Sequence, residues 1–182
     1  MNQKLKGQIK EFIEWILIIV FAVVAAMLIN KYIILKAKVP TGSMEHTIEV
    51  EDCILGLKTA YLFSEPERGD IVIFPYPDNP EVTYVKRIIG LPGETVEIKN
   101  GAVYIDGTPI KEPYLKEAMT GEYGPYVVPE GGYFMLGDNR NSSADSRKWK
   151  NTYLKEEDIL AKVLFRYSPS FQWYSDVEYG DK

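Results

Sequence analysis

A chain of 182 residues, 46% hydrophobic and 26% charged, can fill one packed core with an appendage, and its composition excludes a disordered or repetitive protein. The net charge of −5 is unevenly spread: residues 1–38 hold six lysines against two acids, which leaves −9 in residues 39–182. An acidic body argues against nucleic acid as a partner and is repelled by anionic lipid head groups, so contact with a bilayer surface falls to apolar side chains.

The first element runs from Phe12 to Ile29, eighteen residues interrupted only by Glu14. As a helix it is about 27 Å long, close to the roughly 30 Å of a hydrocarbon core. A cleavable leader is the competing reading, with Val24-Ala25-Ala26 as its small-residue cleavage site. Apolar residues resume at Tyr32-Ile33-Ile34-Leu35, and the run exceeds a usual leader core, so an uncleaved anchor is favoured. Lys4, Lys6 and Lys10 precede it and Lys31, Lys36 and Lys38 follow, a balance that leans only slightly toward a cytoplasmic N-terminus. The organisation expected is a tail over 1–11, a transmembrane helix over 12–31 and a folded body over 36–182.

Beyond the anchor, short apolar runs alternate with Gly, Pro, Asn and Asp, which predicts a mainly antiparallel β body without long helices. Ile71–Phe74 and Val82–Ile89 pair as one hairpin. Thr95–Lys99 and Ala102–Ile105 form another, because Asn100-Gly101 suits a type I′ turn; Asp106-Gly107 then ends that strand. Residues 109–129, rich in Pro, Gly, Tyr and charge, read as a mobile excursion. Gly132–Leu136 returns as a strand, Leu154–Asp158 could make one helical turn, and Ile159, Ala161, Val163, Phe165 and Tyr167 alternate along a closing strand.

Three segments carry candidate chemistry. Pro40-Thr41-Gly42-Ser43-Met44 lies just past the anchor, so Ser43 must stay within reach of the membrane surface; taken alone it is an ordinary turn serine. A serine hydroxyl needs a base. His46, the only histidine, is three residues away with no acid placed to orient it. Lys86 shares a strand face with Val82, Tyr84 and Ile88, while Thr83, Val85, Arg87 and Ile89 take the other. An unperturbed lysine is almost wholly protonated at neutral pH, but burial that lowers its pKa by about two units raises the neutral fraction a hundredfold. The third segment is the polar run Gly137 to Arg147, with Asp138, Arg140, Asp145 and Arg147 and three serines. As a calcium loop its spacing is poor, since Arg140, Ser142 and Ser143 stand where an acid or amide, a second, and glycine are required. No metal or cofactor is expected.

In this order the turn at 40–44, Tyr84-Val85-Lys86-Arg87-Ile88-Ile89-Gly90-Leu91-Pro92-Gly93 and the run 137–147 resemble the signature boxes of the type I signal peptidases, in the shorter Gram-positive-like form. The resemblance implies a membrane-bound serine endopeptidase with a Ser43–Lys86 dyad and a β domain related to that of the repressor-type autoproteases. It implies substrates that are exported preproteins, cut after a small-x-small motif such as Ala-x-Ala, and a body outside the cytoplasm on a single-pass plasma-membrane anchor. Thr41 would add an oxyanion donor beside the Ser43 amide. Ser143 would orient the Lys86 amine, and Arg87, Asp138, Asp145 and Arg147 would fix the polar loop as ion pairs. One departure stands out: His46 occupies a position that is usually proline. Competing readings are a repressor-type autoprotease, a sortase-like transpeptidase using Cys53, His46 and an arginine, and a tethered binding module without activity.

Overall fold

The computed structural model describes residues 3–174, so the outer ends of the expected tail and body lie outside the described residues. Helix α1 spans Gln3–Tyr32 and so begins well before the apolar run itself. Its segment Ile9–Tyr32 has a mean hydropathy of 2.8, and none of it is buried against the body. Twenty-four residues give about 36 Å of helix, enough to cross a hydrocarbon core with some tilt.

The body follows with almost no linker. Strand β1 (Ile34–Lys38) starts two residues after the helix and pairs antiparallel with β2 (Cys53–Leu57). Next come β3 (Ile71–Tyr76), β4 (Asn79–Gly90), β5 (Thr95–Lys99), β6 (Ala102–Ile105), β7 (Thr108–Pro109), β8 (Tyr123–Val127), β9 (Gly132–Leu136), β10 (Tyr153–Lys155), β11 (Ala161–Ser168) and β12 (Gln172–Trp173). The larger sheet runs β1-β2-β11-β3-β4-β9-β10, with β12 on β11, and the smaller runs β7-β6-β5-β8. Among the described residues beyond Tyr32, helical structure is limited to short 3₁₀ turns, including Gly42–Met44 and Arg140–Ser142. The chain is mainly β with one N-terminal apolar helix, as the sequence predicts.

Both expected hairpins form. The β3–β4 pair places Val72 opposite Lys86 and Ile71 opposite Arg87. In β5–β6 the turn residues Asn100 and Gly101 have φ of +52° and +76°, the left-handed pair that a type I′ turn requires. The closing strand is less regular than its alternation suggests. With bulges against β2, Ala161 and Val163 are buried, Phe165 is half-buried against Phe171 and Trp173, and Tyr167 is exposed.

Residues 109–129 depart from the expected excursion. Met119 is buried, β8 joins the smaller sheet beside β5, and Glu112 lies in a buried ion pair. Its Pro, Gly and charged residues are interleaved with apolar ones such as Met119 and Val128, and these pack into the core.

Two apolar clusters frame the chemistry. Val39, Met44, Ile48, Ile54, Ile71, Ile73 and Val163 pack beneath the turn at 42–44, and fully burying such side chains contributes about 1.5–3 kcal/mol each. Tyr84 and Ile88 pack into a cluster around Val72, Phe74 and Trp149, whereas Val85 joins the first, which is the face alternation expected of β4.

Candidate active site

The nucleophile turn is built from below. Met44 and Ile48 are inserted into the core, and the amides of Glu45, Thr47 and Ile48 close onto the Gly42 and Met44 carbonyls. Ser43 thus sits on a tight turn whose apolar side is anchored and whose polar side faces a cleft. The polar loop clasps this turn from outside: the Asn139 amide donates to the Ser43 carbonyl at 3.1 Å, and its side chain donates to the Gly42 carbonyl at 2.9 Å and to Glu45 Oε2 at 3.0 Å.

Lys86 reaches the same point from β4. Its Nζ lies 2.5 Å from Ser43 Oγ and 3.1 Å from the Val85 carbonyl oxygen. Only 3% of the residue is exposed. Removal from water disfavours the ammonium form and holds the pKa down to about 8, against the opposing pull of Asp145 and Asp138. Burial wins because both carboxylates are already paired with arginines.

Those pairs are bidentate and buried. Arg87 Nε and Nη2 donate to Asp138 at 2.9 and 2.6 Å, and its Nη1 donates to the Gly69 carbonyl at 2.7 Å. Thr47 Oγ1 also donates to Asp138, at 2.5 Å, which ties the base strand, the polar loop and the nucleophile turn through one carboxylate. Arg147 Nε and Nη2 donate to Asp145 at 2.7 and 2.8 Å, and Asp145 accepts the Gly137 amide at 3.1 Å. Breaking one partner of such a pair costs about 3–5 kcal/mol, because it strands a buried charge.

Two other expected residues are close without being engaged. Thr41 flanks the 3₁₀ turn with φ −129° and ψ 150°, and its hydroxyl caps nothing. Ser143 is buried, and its Oγ has no hydrogen-bond partner, so the expected bond to Lys86 is not formed. It rests instead against Gly137, where a Cβ would collide with Ser143 Oγ and the Ser43 carbonyl oxygen. Only glycine fits between the loop and the nucleophile turn.

The sequence reading missed Arg140, Glu112 and Tyr114. Arg140 is fully buried, bonded to Glu112 at 2.5 and 2.7 Å, and donates Nε to the Gly137 carbonyl at 3.0 Å. Tyr114 stacks under the Arg87 guanidinium, 3.9 Å from its ring centroid. A buried ion pair 28 residues apart leaves no periodicity to detect; the one available signal was a second arginine in the loop without an assigned acid.

Dyad and loop open onto a cleft of about 780 Å³, walled by Val39, Pro40, Thr41 and Met44 on one side and Val82, Tyr84 and Val85 on the other. Neither His46 nor Cys53 lines it. His46 is exposed with φ +83°, and Cys53 pairs with Lys38 and Ser168 within the sheet. A larger groove of about 1240 Å³ lies between Tyr61, Tyr76 and Tyr153, lined by neither Ser43 nor Lys86. Chemically, a hydroxyl within hydrogen-bond reach of a desolvated amine is an arrangement that can supply a nucleophile and a base.

The chain is similar to known proteins over most of its length. The family model described as signal peptidase, peptidase S26, matches residues 12–168. The chain is 43% identical over 178 residues to signal peptidase I of Bacillus amyloliquefaciens, covering 92% of this chain and 91% of that protein. It is 41% identical over 156 residues to signal peptidase I of Bacillus licheniformis, covering 80% and 83%. It is 36% identical over 167 residues to the probable signal peptidase I-1 of Synechocystis, covering 88% and 84%. With matches of this extent around a serine that has a buried amine at hydrogen-bond distance, the chain belongs to the signal peptidase family, peptidase S26, and is an enzyme.

Proposed function

We propose that this protein is a membrane-bound serine endopeptidase that removes N-terminal signal peptides from exported preproteins, cutting after a small-x-small motif with Ser43 and Lys86 as its dyad. The observation that carries this reading is the 2.5 Å approach of Lys86 Nζ to Ser43 Oγ at a lysine that is 3% exposed. Neutral Lys86 accepts the Ser43 proton as Oγ attacks the scissile carbonyl carbon. The tetrahedral oxyanion is met by the Ser43 amide and the unengaged Thr41 hydroxyl. Collapse expels the new amino terminus, which takes its proton from Lys86, and leaves an ester on Ser43. Lys86 then deprotonates water for attack on that ester, and Ser43 regains its proton. Ser143, buried and unpartnered, steadies the amine while it is charged, and Arg87, Asp138, Asp145 and Arg147 hold the loop.

In this reading the flanking helix anchors a single-pass plasma-membrane enzyme, with a cytoplasmic N-terminal tail over 1–11, a span over 12–31 and an extracytoplasmic body over 36–182. The lysines on the two sides of the span are nearly balanced, so the orientation with the N-terminus inside follows from the family resemblance. Ser43 is eleven residues from Tyr32, hence no more than about 40 Å from the helix end, where a bilayer-held precursor presents its cleavage site. The acidic body argues against nucleic acid as a partner and leaves contact with lipid to the apolar helix and apolar side chains.

Detergent-solubilised protein incubated with a secretory precursor bearing an Ala-x-Ala site should release the mature chain after the second alanine. Ser43→Ala and Lys86→Ala should each reduce the rate by at least about a thousandfold. Cleavage that survives either change, or wild-type protein that is folded and inert on several precursors, contradicts the reading.

A further inference from the structure

The connection between β7 and β8 does more than complete the smaller sheet. Residues 112–120 lie along the back of the polar loop and touch it at successive points. Glu112 holds Arg140 through both oxygens, with 4% and 0% of the two side chains exposed. Tyr114 donates its hydroxyl to Glu112 at 2.6 Å and accepts from Arg140 Nη2 at 3.3 Å, while its ring carries the Arg87 guanidinium. Met119 Sδ lies 3.4 Å from Arg140 Nη1. The Asn141 side chain accepts the Thr120 amide at 2.9 Å and donates to the Ala118 carbonyl at 3.2 Å.

Two routes lead from this strap to the reacting atoms. Glu112 orients Arg140, whose Nε holds the carbonyl of Gly137, the residue wedged against Ser143 and Ser43. Tyr114 seats Arg87, the residue after the base, whose other face grips Asp138 and through it Thr47. An arginine over an aromatic face is attracted by the ring's negative quadrupole, which favours one guanidinium orientation. Both arginines next to the dyad are therefore oriented from the strap, and neither Glu112 nor Tyr114 lines the cleft.

We propose that Glu112 and Tyr114 are positioning residues for the peptidase reaction: acting through Arg140 and Arg87, they set the mutual placement of Ser43 and Lys86. This rests on the reading of Ser43 and Lys86 as nucleophile and base. A positioning role differs from a purely structural one in what it changes. Loss of a structural brace lowers the unfolding temperature and leaves each folded molecule as active as before. Loss of a positioning group lowers kcat in the folded protein, with KM little altered, because misplacement acts on the chemical step.

The test measures kcat and KM on an Ala-x-Ala precursor for Glu112→Gln, Glu112→Asp, Tyr114→Phe and Tyr114→Leu, at a temperature where circular dichroism shows each variant folded. Glu112→Gln and Tyr114→Leu should lose kcat by about tenfold or more with KM within about threefold. Tyr114→Phe, which keeps the ring under Arg87, should recover most of it. Should Glu112→Gln fail to fold, Glu112→Asp and the Tyr114 pair decide. The Lys86 Cε resonance, followed by pH titration with nuclear magnetic resonance, gives a substrate-free readout. Replacing Glu112 by Gln removes a negative charge and leaves Arg140 uncompensated, so the Lys86 midpoint should fall. Folded Glu112→Gln and Tyr114→Leu with wild-type kcat and an unmoved Lys86 midpoint overturn the proposal. A wild-type protein that cuts no precursor defeats the functional reading instead, and the Lys86 midpoint in Tyr114→Leu, a change that alters no charge, still decides the positioning.

Discussion

Lys86 is the residue on which the chemistry turns, and its burial has a measurable cost. A lysine held at about 8 in the folded chain, against 10.5 unperturbed, binds fewer protons folded than unfolded between those values. Stability therefore rises as pH climbs from about 8 to 10.5, and below 8 the buried ammonium destabilises the fold by about 3 kcal/mol. Lys86→Met should stabilise the protein by about 2–3 kcal/mol at pH 7 in urea unfolding while abolishing cleavage; equal or lower stability would mean the amine is better solvated than its burial indicates. His46 presents a different constraint. At φ +83° it occupies a region closed to proline, whose ring fixes φ near −65°. His46→Pro, which restores the residue usual in the family, should lower the precursor cleavage rate at least tenfold, whereas His46→Gly should leave it within about threefold. Equal activity in both would show that the turn after Met44 is not fixed. Lys86, Ser43, Arg87 and Asp138 were legible because each stood in a recognisable box. The turn conformation at His46 was not, since a left-handed histidine has no signature beyond its own identity.

At the scale of elements, the Ser43 turn after β1 and the loop after β9 meet at Gly137, where the structure leaves no room for a methyl group. Gly137→Ala must push the polar loop off the nucleophile turn. Its folded form should lose at least tenfold in kcat, measured on the same precursor; unchanged kcat would show that the loop can yield without disturbing Ser43. The hairpins were readable from alternation and from Asn100-Gly101, because strand pairing is encoded in neighbouring residues. The strap was not. Its anchors are single polar side chains meeting partners from distant strands, and buried ion pairs follow no period. The mistaken expectation of mobility over 109–129 has the same origin: Pro, Gly and charge describe a surface segment well, but Met119 and Glu112 show how few buried groups suffice to dock one.

For the whole molecule, charge, anchor and cleft form one arrangement. Helix α1 carries a 24-residue apolar segment long enough to cross a bilayer, and it runs into the edge strand β1 that leads to Ser43. The apolar run made the long N-terminal helix legible from the start; the cleft, assembled by tertiary packing from distant segments, was not. The claim at the centre is that a neutral lysine, and no histidine, activates Ser43. The most direct measurement is the pH dependence of kcat/KM for precursor cleavage by the wild-type protein, with His46→Ala beside it. The account predicts a basic-side rise through an apparent pKa of about 8, falling tenfold per pH unit below it and unchanged in His46→Ala. A rise centred near 6.5, the ordinary imidazole range, and lost on replacing His46, would contradict it.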